Sequence, residues 1–345
     1  MIRYIRPVAA RDATGIVAVI YAEVKREFGA IVEPMTLHSP APAILAGVWR
    51  ACRATLVTGT VPRALKEAVA TAVSRANRCA YCVDAHVIML EGAGAHQTAD
   101  ALAADDVGAI RDPRSRALAA WATSRASNAG LGDEAAKGAT SNPPPFNADE
   151  APEILGTALM FHYINRPVTV LLGDSPLPAA PPAFKAPLRR AAGWWFGRAI
   201  ARPKATDPAS LLPAAPLPND LRWAAASPRV ADALARFAAA VEVEGAHVLP
   251  ATARQLVTAR LAEWDDDDVG LGRQWLTPAL AALDEAQRPA AQLALLAAFA
   301  PHQIDDAVID AFRASVPGNR ALVAALAWAS LAAARRIVQR LSAAS

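Results

Sequence analysis

The sequence predicts an all-α protein. Of its 345 residues, 54% are hydrophobic but only 6% are aromatic, and alanine is the dominant apolar residue. Because alanine loses no side-chain entropy in a helix, this composition favours packed helices over sheets. Apolar residues also recur at helical spacing in successive segments that proline and glycine separate.

The chain is longer than a usual single domain, so we expect two domains, each with its own core. Proline and alanine crowd residues 175–187 and 203–218 and indicate a linker. The predicted organisation is a helical module at residues 1–174, a proline- and alanine-rich linker with a short basic helix at 175–218, and a second helical module at 219–345.

Helical spacing in the first module predicts a series of helices at residues 14–29, 40–58, 63–76, 78–91, 97–103, 113–127 and 151–172. Pro62 is placed to open the third of them, since proline is tolerated in the first turn. Asn77 is placed to cap the fourth helix, and Gly92 and Gly94 to end it.

The basic helix of the predicted linker contains two tryptophans and three arginines, Arg189, Arg190, Trp194, Trp195 and Arg198. We expect a helix of this length to pack its tryptophans on a neighbouring domain and to leave its arginines in water, so no membrane partner is expected. The apolar stretch from Ala321 to Ala334 is shorter than the roughly 20 residues that cross a bilayer. It predicts a buried helix.

The charge pattern is mild. The formal net charge is +3, and basic residues are scattered among acidic ones, which does not indicate a nucleic-acid partner. The first residues, MIRYIRPVAARDATG, lack the long apolar run and the cleavage site of a secretory signal. We therefore expect a cytoplasmic protein.

The second module repeats the apolar rhythm of the first when Pro250 is aligned with Pro62. At four positions it lacks the reactive groups of the first module: Gln255, Asp267, Gly270 and Gln274 take the places of Glu67, Cys79, Cys82 and His86. The segments 153–172 and 320–341 correspond as closing helices. The sequence thus predicts a duplication with one degenerate copy, and the alternative is a likeness of alanine-rich composition alone.

Two of the three cysteines, Cys79 and Cys82, form one CxxC, which in a reducing compartment suggests redox or metal chemistry. On a helical wheel at about 100° per residue these cysteines and His86 fall within an arc of roughly 60°. A helix amino terminus favours a thiolate, and thiols three residues apart can form a disulfide. A thiolate that attacks a peroxide gives a sulfenic acid, which the second thiol condenses to a disulfide.

Two alternatives compete with redox chemistry at this motif. Zinc could be bound by the CxxC sulfurs, His86 and Glu67, although structural zinc sites usually take ligands from two separated knuckles and the sequence has no second CxxC or histidine pair. The cysteines and the histidine could also be simple core residues. Glu67 lies nearly opposite the apolar stripe of its helix, which predicts a solvated face, but its neighbours on that face are small enough for close packing.

The pattern Glu67-x11-Cys79-x2-Cys82-x3-His86 resembles the E-x11-C-x2-C-x3-H signature of alkyl hydroperoxidase D-like proteins of the carboxymuconolactone decarboxylase superfamily. The resemblance implies an all-α bundle that forms trimers or larger homo-oligomers. It implies that Cys82 is the peroxidatic cysteine, Cys79 the resolving cysteine, His86 the proton relay and Glu67 its base. One position departs from the pattern, since Tyr81 stands where well-studied members have a histidine.

The implied function is reduction of a small-molecule peroxide or organic hydroperoxide, with a thiol or protein reductant that recycles the disulfide and with no cofactor or metal. The alternatives are a non-enzymatic redox sensor or scaffold and a zinc-binding helical protein. A carboxymuconolactone-type decarboxylase is less favoured, because members with that activity lack the paired cysteines.

Other polar residues are expected to be structural. Cys52 lies in an apolar helix and predicts a core position. Packing or surface roles are expected for three residues of the closing helix, His162, Tyr163 and Asn165. Solvated or capping roles are expected for the isolated histidines His38, His96, His247 and His302.

Overall fold

A computed structural model describes residues 2–123, 143–173, 175–177, 182–202, 210–264, 269–270 and 272–343. These residues form helices and connecting segments and no β-strand, which confirms the predicted all-α class. Asp267 and the end of the helix predicted at 113–127 lie outside the described residues.

The first half of the chain contains the helices α1 (Gly15–Phe28), α2 (Glu33–Thr36), α3 (Pro42–Cys52), α4 (Arg63–Ala76), α5 (Ala80–Gly92), α6 (His96–Ala103), α7 (Pro113–Thr123) and α8 (Ala151–Leu171). A π-helical turn, Arg53–Val57, extends α3. The boundaries of α1, α4, α6 and α8 lie close to their predicted positions, because proline and glycine mark most of the connections. The sequence patterns do not predict the short helix α2.

The second half contains α9 (Pro182–Ile200), a 3-10 segment (Asn219–Ala226), and the helices α10 (Pro228–Val248), α11 (Ala251–Glu263), α12 (Leu276–Ala281), α13 (Arg288–Phe299), α14 (Asp306–Ser315) and α15 (Asn319–Ala343). Ser227 caps α10 by accepting a hydrogen bond from the Val230 backbone N–H. Asp305 caps α14 in the same way.

The two halves share one core, so the expectation of a separate core for each is wrong. Their buried apolar residues form a continuous cluster. The closing helices α8 and α15 pack against each other, and α3 packs along α10. Small residues allow this close approach: a Cβ added to Gly47 would lie 3.0 Å from the Cα of Phe237.

The helix α15 contains a stretch, Asn319–Ser342, that is long and apolar enough to cross a membrane. However, 83% of its most apolar 18-residue window is buried inside the protein. Its neighbours are α8, α10 and α13, so α15 is a core helix, as the sequence predicts for Ala321–Ala334.

The predicted repeat has structural parallels and one clear difference. Pro62 and Pro250 each precede a helix in extended conformation, with ψ of 133° and 146°. The helix α5, however, has no full-length counterpart, because α12 has only 6 residues and the described residues between Glu263 and Leu276 are not helical. The duplication therefore stays a prediction.

The connection between α4 and α5 is tighter than predicted. Asn77 does not cap α5 but follows the last turn of α4. Arg78 is left-handed with a φ of 55°, which is uncommon for a residue with a Cβ. As a result α5 begins at Ala80 and Cys79 occupies the position just before its first turn.

The segment predicted as a linker contains a helix that packs against the CxxC helix. The contact between α9 and α5 is made at glycines, and a Cβ added to Gly193 would lie 2.5 Å from the Cβ of Glu91. Trp194 and Trp195 are 63% and 57% exposed, so the expectation that they pack on a neighbouring domain is wrong. The glycine-bearing face of α9 is the one in contact with the protein.

A buried carboxylate, Glu153, joins the two halves. It accepts hydrogen bonds from the Lys66 ammonium at 2.7 Å and from the backbone N–H groups of Thr60 and Val61 at 2.9 and 3.2 Å. Arg229 of α10 lies 3.3 Å from the same carboxylate. Burial lowers the pKa of Lys66, and the hydrogen bond to Glu153 partly offsets this effect. The charge of Lys66 therefore depends on Glu153.

We predict that Glu153→Ala lowers the free energy of unfolding by about 3–5 kcal/mol, because it leaves a buried ammonium without its counter-charge. Urea unfolding followed by circular dichroism measures the change. The matched control is Glu263→Ala, which removes a carboxylate that is 75% exposed and 3.9 Å from Arg260. Its expected cost is below about 1 kcal/mol. Equal losses in the two variants would contradict a stabilising role for the buried network.

Candidate active site

The predicted site residues come from two neighbouring helices. Glu67 lies in the middle of α4, while Cys79 immediately precedes α5, Cys82 lies in its first turn and His86 in its middle. The short turn between the helices brings α5 back against α4, and α8 packs against both. The structure groups the four residues into two pairs, one of a carboxylate with an imidazole and one of two thiols.

Glu67 is fully buried, although the helical wheel alone predicts a solvated face. Its neighbours on that face, Ala70, Thr71 and Ser74, are also fully buried and are small enough to let other helices approach. The Glu67 Oε2 atom lies 2.6 Å from His86 Nδ1, and Oε1 accepts a hydrogen bond of 2.5 Å from Arg63 Nε. The wheel could not reveal this because it ignores side-chain size.

The Glu67 carboxyl is held ionised in spite of its burial. Burial acts to raise its pKa, but the charge of the Arg63 guanidinium and the contact with His86 together bring the pKa below its ordinary value. Arg63 also lies over the Phe28 ring at 5.7 Å. Sequence analysis missed Arg63, and its position four residues before Glu67 on the same helix is the signal that could have identified it.

The His86 ring is fixed by two contacts. Its Nδ1 atom is engaged by Glu67, and its ring meets the Phe161 ring edge-on with centroids 4.3 Å apart. The side chain keeps 14% of its surface exposed. This orientation leaves Nε2 as the ring nitrogen that can exchange a proton with a molecule beside the thiols.

The sulfur atoms of Cys79 and Cys82 lie 2.8 Å apart, and both residues are 2% exposed. Burial acts to raise the pKa of Cys79, but hydrogen bonds from the Cys82 thiol, the Cys82 backbone N–H and the Thr169 hydroxyl outweigh it and lower the pKa. Burial and the neighbouring Cys79 sulfur raise the pKa of Cys82. Cys79 is therefore the more acidic of the two thiols, and the first titration step belongs to the pair and not to either residue alone.

Helix α8 supplies two polar groups to the thiol pair: Asn165, for which a packing or surface role is expected from the sequence, and Thr169, which the sequence patterns do not single out. Asn165 contacts the Cys82 sulfur and also bonds to Ser74 at 3.0 Å and to Asn77 at 2.8 Å. Thr169, one turn later, contacts Cys79. Both residues lie on α8 at a spacing of four, which is the sequence signal for a shared polar face.

Three other polar residues, Tyr163, His38 and His162, have structural partners. The hydroxyl of Tyr163 lies 2.9 Å from Nε2 of His38. His38 is fully buried, so of the two roles expected for it, solvated or capping, the solvated one is wrong. Its second ring nitrogen lies 2.8 Å from the Pro34 carbonyl oxygen. His162 contacts Asn77, and burial lowers its pKa to about 3, so it is a neutral ring at physiological pH.

Tyr81 occupies the position where the family pattern has a histidine. Its hydroxyl donates a hydrogen bond of 3.0 Å to Glu33 Oε2 at the start of α2. Burial and the negative charge of Glu33 raise the pKa of this phenol far above its ordinary value. Tyr81 therefore stays protonated and cannot replace an imidazole as a base.

A cavity of about 110 Å³ lies beside the site. Its walls are mostly apolar and come from α1, α2, α3, α5, α8 and α9, with Cys82 and His86 facing it. Its other lining residues include Phe28, Met35, Cys52, Leu56, Tyr81, Met89, Phe161, Ile164 and Phe196. Burial raises the pKa of Cys52 to about 12, so this core residue is a neutral thiol. Of the two CxxC cysteines, Cys82 is the one that faces the cavity.

The zinc alternative needs four donors around one point. Glu67 instead binds Arg63 and His86, while the two sulfurs contact each other. Among the residues that the structure describes, no group of three or more His, Cys, Asp and Glu side chains is arranged to hold a metal ion. The geometry thus favours proton and electron transfer over metal binding.

Comparison with known proteins bears on the whole chain. The carboxymuconolactone decarboxylase family model matches residues 42–124, which include all four predicted site residues. A protein of Mycobacterium tuberculosis named alkyl hydroperoxide reductase is 40% identical over 337 residues, covering 97% of this chain and 94% of the relative. The chain belongs to the alkyl hydroperoxidase D-like, or carboxymuconolactone decarboxylase, superfamily.

The match to the mycobacterial relative covers both halves of this superfamily member. The relative therefore also contains a counterpart of the second half. A crystal structure of an alkylhydroperoxidase AhpD core, an uncharacterized peroxidase-related protein from Ralstonia eutropha JMP134, is also similar. It has a TM-score of 0.38 and 19% identity and covers 54% of this chain and 98% of that one.

We predict that Thr169→Val raises the pH at which the first thiolate forms, because it removes a hydrogen bond that lowers the pKa of Cys79. Thiolate absorbance in the ultraviolet, followed during a pH titration of the reduced protein, measures this shift. Thr98→Val in α6 is the matched control, since Thr98 is also shielded from water, at 4% exposure, but belongs to another helix. Identical titrations of the two variants would show that Thr169 does not act on the thiol pair.

Proposed function

We propose that this protein reduces peroxides or organic hydroperoxides through a dithiol–disulfide cycle of Cys79 and Cys82, with His86 and Glu67 as the proton relay. The observation that carries the proposal is that one member of a contacting thiol pair, Cys82, and one member of a buried carboxylate–imidazole pair, His86, face the same apolar cavity. The name of the mycobacterial relative supports the same activity.

The chemical steps balance with the groups present and an external reductant. The Cys82 thiolate attacks one peroxide oxygen, the O–O bond breaks, and Cys82 becomes a sulfenic acid while the other oxygen leaves as an alcohol or water after it takes a proton. The Cys79 thiol then attacks the Cys82 sulfur, forming the disulfide and releasing water. A thiol or protein reductant returns two electrons and two protons.

Proton transfer is the task of the second pair. His86 Nε2 accepts the proton that a thiol loses and returns it to the leaving oxygen. The ionised Glu67 carboxylate, 2.6 Å from the other ring nitrogen, stabilises the positive charge that the ring acquires. Arg63 keeps Glu67 ionised, so it acts as a positioning residue for the relay.

The two cysteines differ in acidity and in their position relative to the cavity. Cys79 is the more acidic residue, whereas Cys82 faces the cavity. Because the sulfurs are in contact, a proton can move from Cys82 to Cys79 and leave the thiolate on the sulfur beside the peroxide. This transfer allows Cys82 to be the peroxidatic cysteine and Cys79 the resolving one, although Cys79 is the more acidic.

Assembly into a homo-oligomer remains a prediction.

A redox sensor without turnover is the second candidate. It is favoured by the burial of both sulfurs, which restricts the access of a protein reductant to the disulfide.

Under continuous recycling by a small dithiol, we expect sustained peroxide consumption by the protein and its complete loss in Cys82→Ser. In Cys79→Ser the sulfenic acid on Cys82 has no resolving partner and accumulates. Peroxide consumption and trapping with dimedone, followed by mass spectrometry, measure these outcomes.

The control for these variants is Cys52→Ser, which removes a thiol but keeps the CxxC pair and should retain measurable turnover. A single oxidation without turnover would identify a sensor. Thiols that stay reduced under excess peroxide would contradict both functions. A sulfenic acid trapped on Cys79 in Cys82→Ser, with none on Cys82 in Cys79→Ser, would reverse the assignment of the two cysteines.

We also predict a shift in pH dependence for Arg63→Met. With the guanidinium gone, burial raises the pKa of Glu67, so the carboxylate is protonated at a higher pH and its support of the relay is lost there. The acid side of the pH profile of kcat/KM should therefore move to higher pH. Arg63→Lys keeps the positive charge and should give a smaller displacement. An unchanged acid side in Arg63→Met would exclude Arg63 from the relay.

A further inference from the structure

Exposed aromatic side chains are concentrated on α9. Among the described residues, the exposed large apolar side chains include three aromatic ones, Phe184, Trp194 and Trp195, at 64%, 63% and 57% exposure. All three belong to this helix. Soluble surfaces rarely group large aromatic residues without a binding role, so the outer face of α9 requires an explanation.

The aromatic residues form an outward stripe. At helical spacing Phe184, Ala191, Trp195 and Arg198 fall on one side with Trp194 beside them, and all of them are exposed. The opposite side holds Gly193, which is buried against α5. The helix thus has two apolar faces, one that attaches it to α5 and one that faces outward.

The charged residues of α9 are all basic. Between residues 182 and 202 there are five basic residues and no acidic one: Lys185, Arg189, Arg190, Arg198 and Arg202. Arg189 and Arg190 pair with acidic residues of neighbouring helices, Arg189 with Asp100 at 4.0 Å and Arg190 with Asp100 at 3.3 Å and Glu91 at 3.9 Å. Arg198 lies over the Trp194 ring at 4.0 Å.

More basic charge lies at the neighbouring end of α1. A Cβ added to Gly29 would lie 3.9 Å from Trp195 Nε1, so the last turn of α1 is next to the stripe. That turn carries two exposed basic residues, Lys25 and Arg26. The outer surface of α9 therefore combines aromatic rings with surrounding positive charge.

We propose that the outer face of α9 docks on an anionic phospholipid bilayer. Tryptophan and phenylalanine rings insert at the boundary between headgroups and acyl chains, and arginine and lysine side chains bind the lipid phosphates. The sequence-based expectation of no membrane partner depended on tryptophans packed inside the protein, and the structure exposes them. A second copy of the chain fits this face less well, because an isologous contact would bring like charges together.

Docking on this face would place the cavity close to the lipid. Phe196 on the inner side of α9 lines the cavity that Cys82 and His86 also face. The helix therefore separates the proposed lipid surface from the cavity by its own thickness. Vesicle binding does not depend on thiol chemistry, so the proposal can fail or succeed independently of the proposed function.

The test is flotation of the full chain with two kinds of vesicle, phosphatidylcholine alone and phosphatidylcholine mixed with phosphatidylglycerol. We expect binding to the mixed vesicles only, and weaker binding as salt is raised. Replacing both tryptophans, Trp194→Ser with Trp195→Ser, should abolish binding. Arg198→Gln should weaken it about fivefold, from the usual contribution of one basic residue near a charged membrane.

Matched controls come from the second half of the chain. Val243→Ser removes an apolar side chain that is 58% exposed, and Arg260→Gln removes a guanidinium that is 46% exposed. Neither should change vesicle binding. Circular dichroism and consumption of a small water-soluble peroxide verify that the tryptophan variant keeps its fold.

Three results would overturn the proposal. The protein could bind neither kind of vesicle, or the double tryptophan variant could bind as well as the original chain. The third is an oligomer that does not bind vesicles and that the tryptophan variant dissociates, as measured by light scattering. That result would identify the face as a contact between copies.

Discussion

Glu67 carries a charge at a position with no access to water, and the arrangement of the site depends on this constraint. A buried carboxylate is tolerated only when its oxygens are paired, and Arg63 and His86 each occupy one of them. Their positions follow from the backbone, since Arg63 is one helical turn before Glu67 and His86 is brought to it by the return of α5. The small residues beside Glu67 allow the helices to close around this pair.

A second buried carboxylate, Glu153, has a different role. It holds the loop before α4 through two backbone N–H groups and meets Arg229 from the second half. The second half also covers α8 with α15, and Arg166 of α8 donates to the Ala298 carbonyl of α13. The half without a CxxC therefore supports α8, the helix that carries Asn165 and Thr169. Its contribution to the site is to hold this helix in position.

The sequence allowed a good prediction of the helices, and of Cys82 and His86 facing the same side of α5, because proline, glycine and helical spacing determine these locally. It did not predict the start of α5, where an arginine adopts a left-handed conformation that usually favours glycine or asparagine. It also missed the contacts of Asn165 and Thr169 with the sulfurs, since these depend on how α8 lies across α5. Single-residue patterns contain no information on such distant packing.

The attachment of α9 has a further consequence. Gly92 and Gly193 bring two helix backbones together, and Gly197 approaches within reach of the Gly92 carbonyl, where a Cβ would lie 2.9 Å from that oxygen. These positions leave no room for a side chain, whereas the outward positions of the same helix meet no steric limit from the protein. Attachment and outer chemistry are therefore encoded by separate residues. Substitutions at the outward positions can therefore change the exposed surface of α9 without changing its packing against α5.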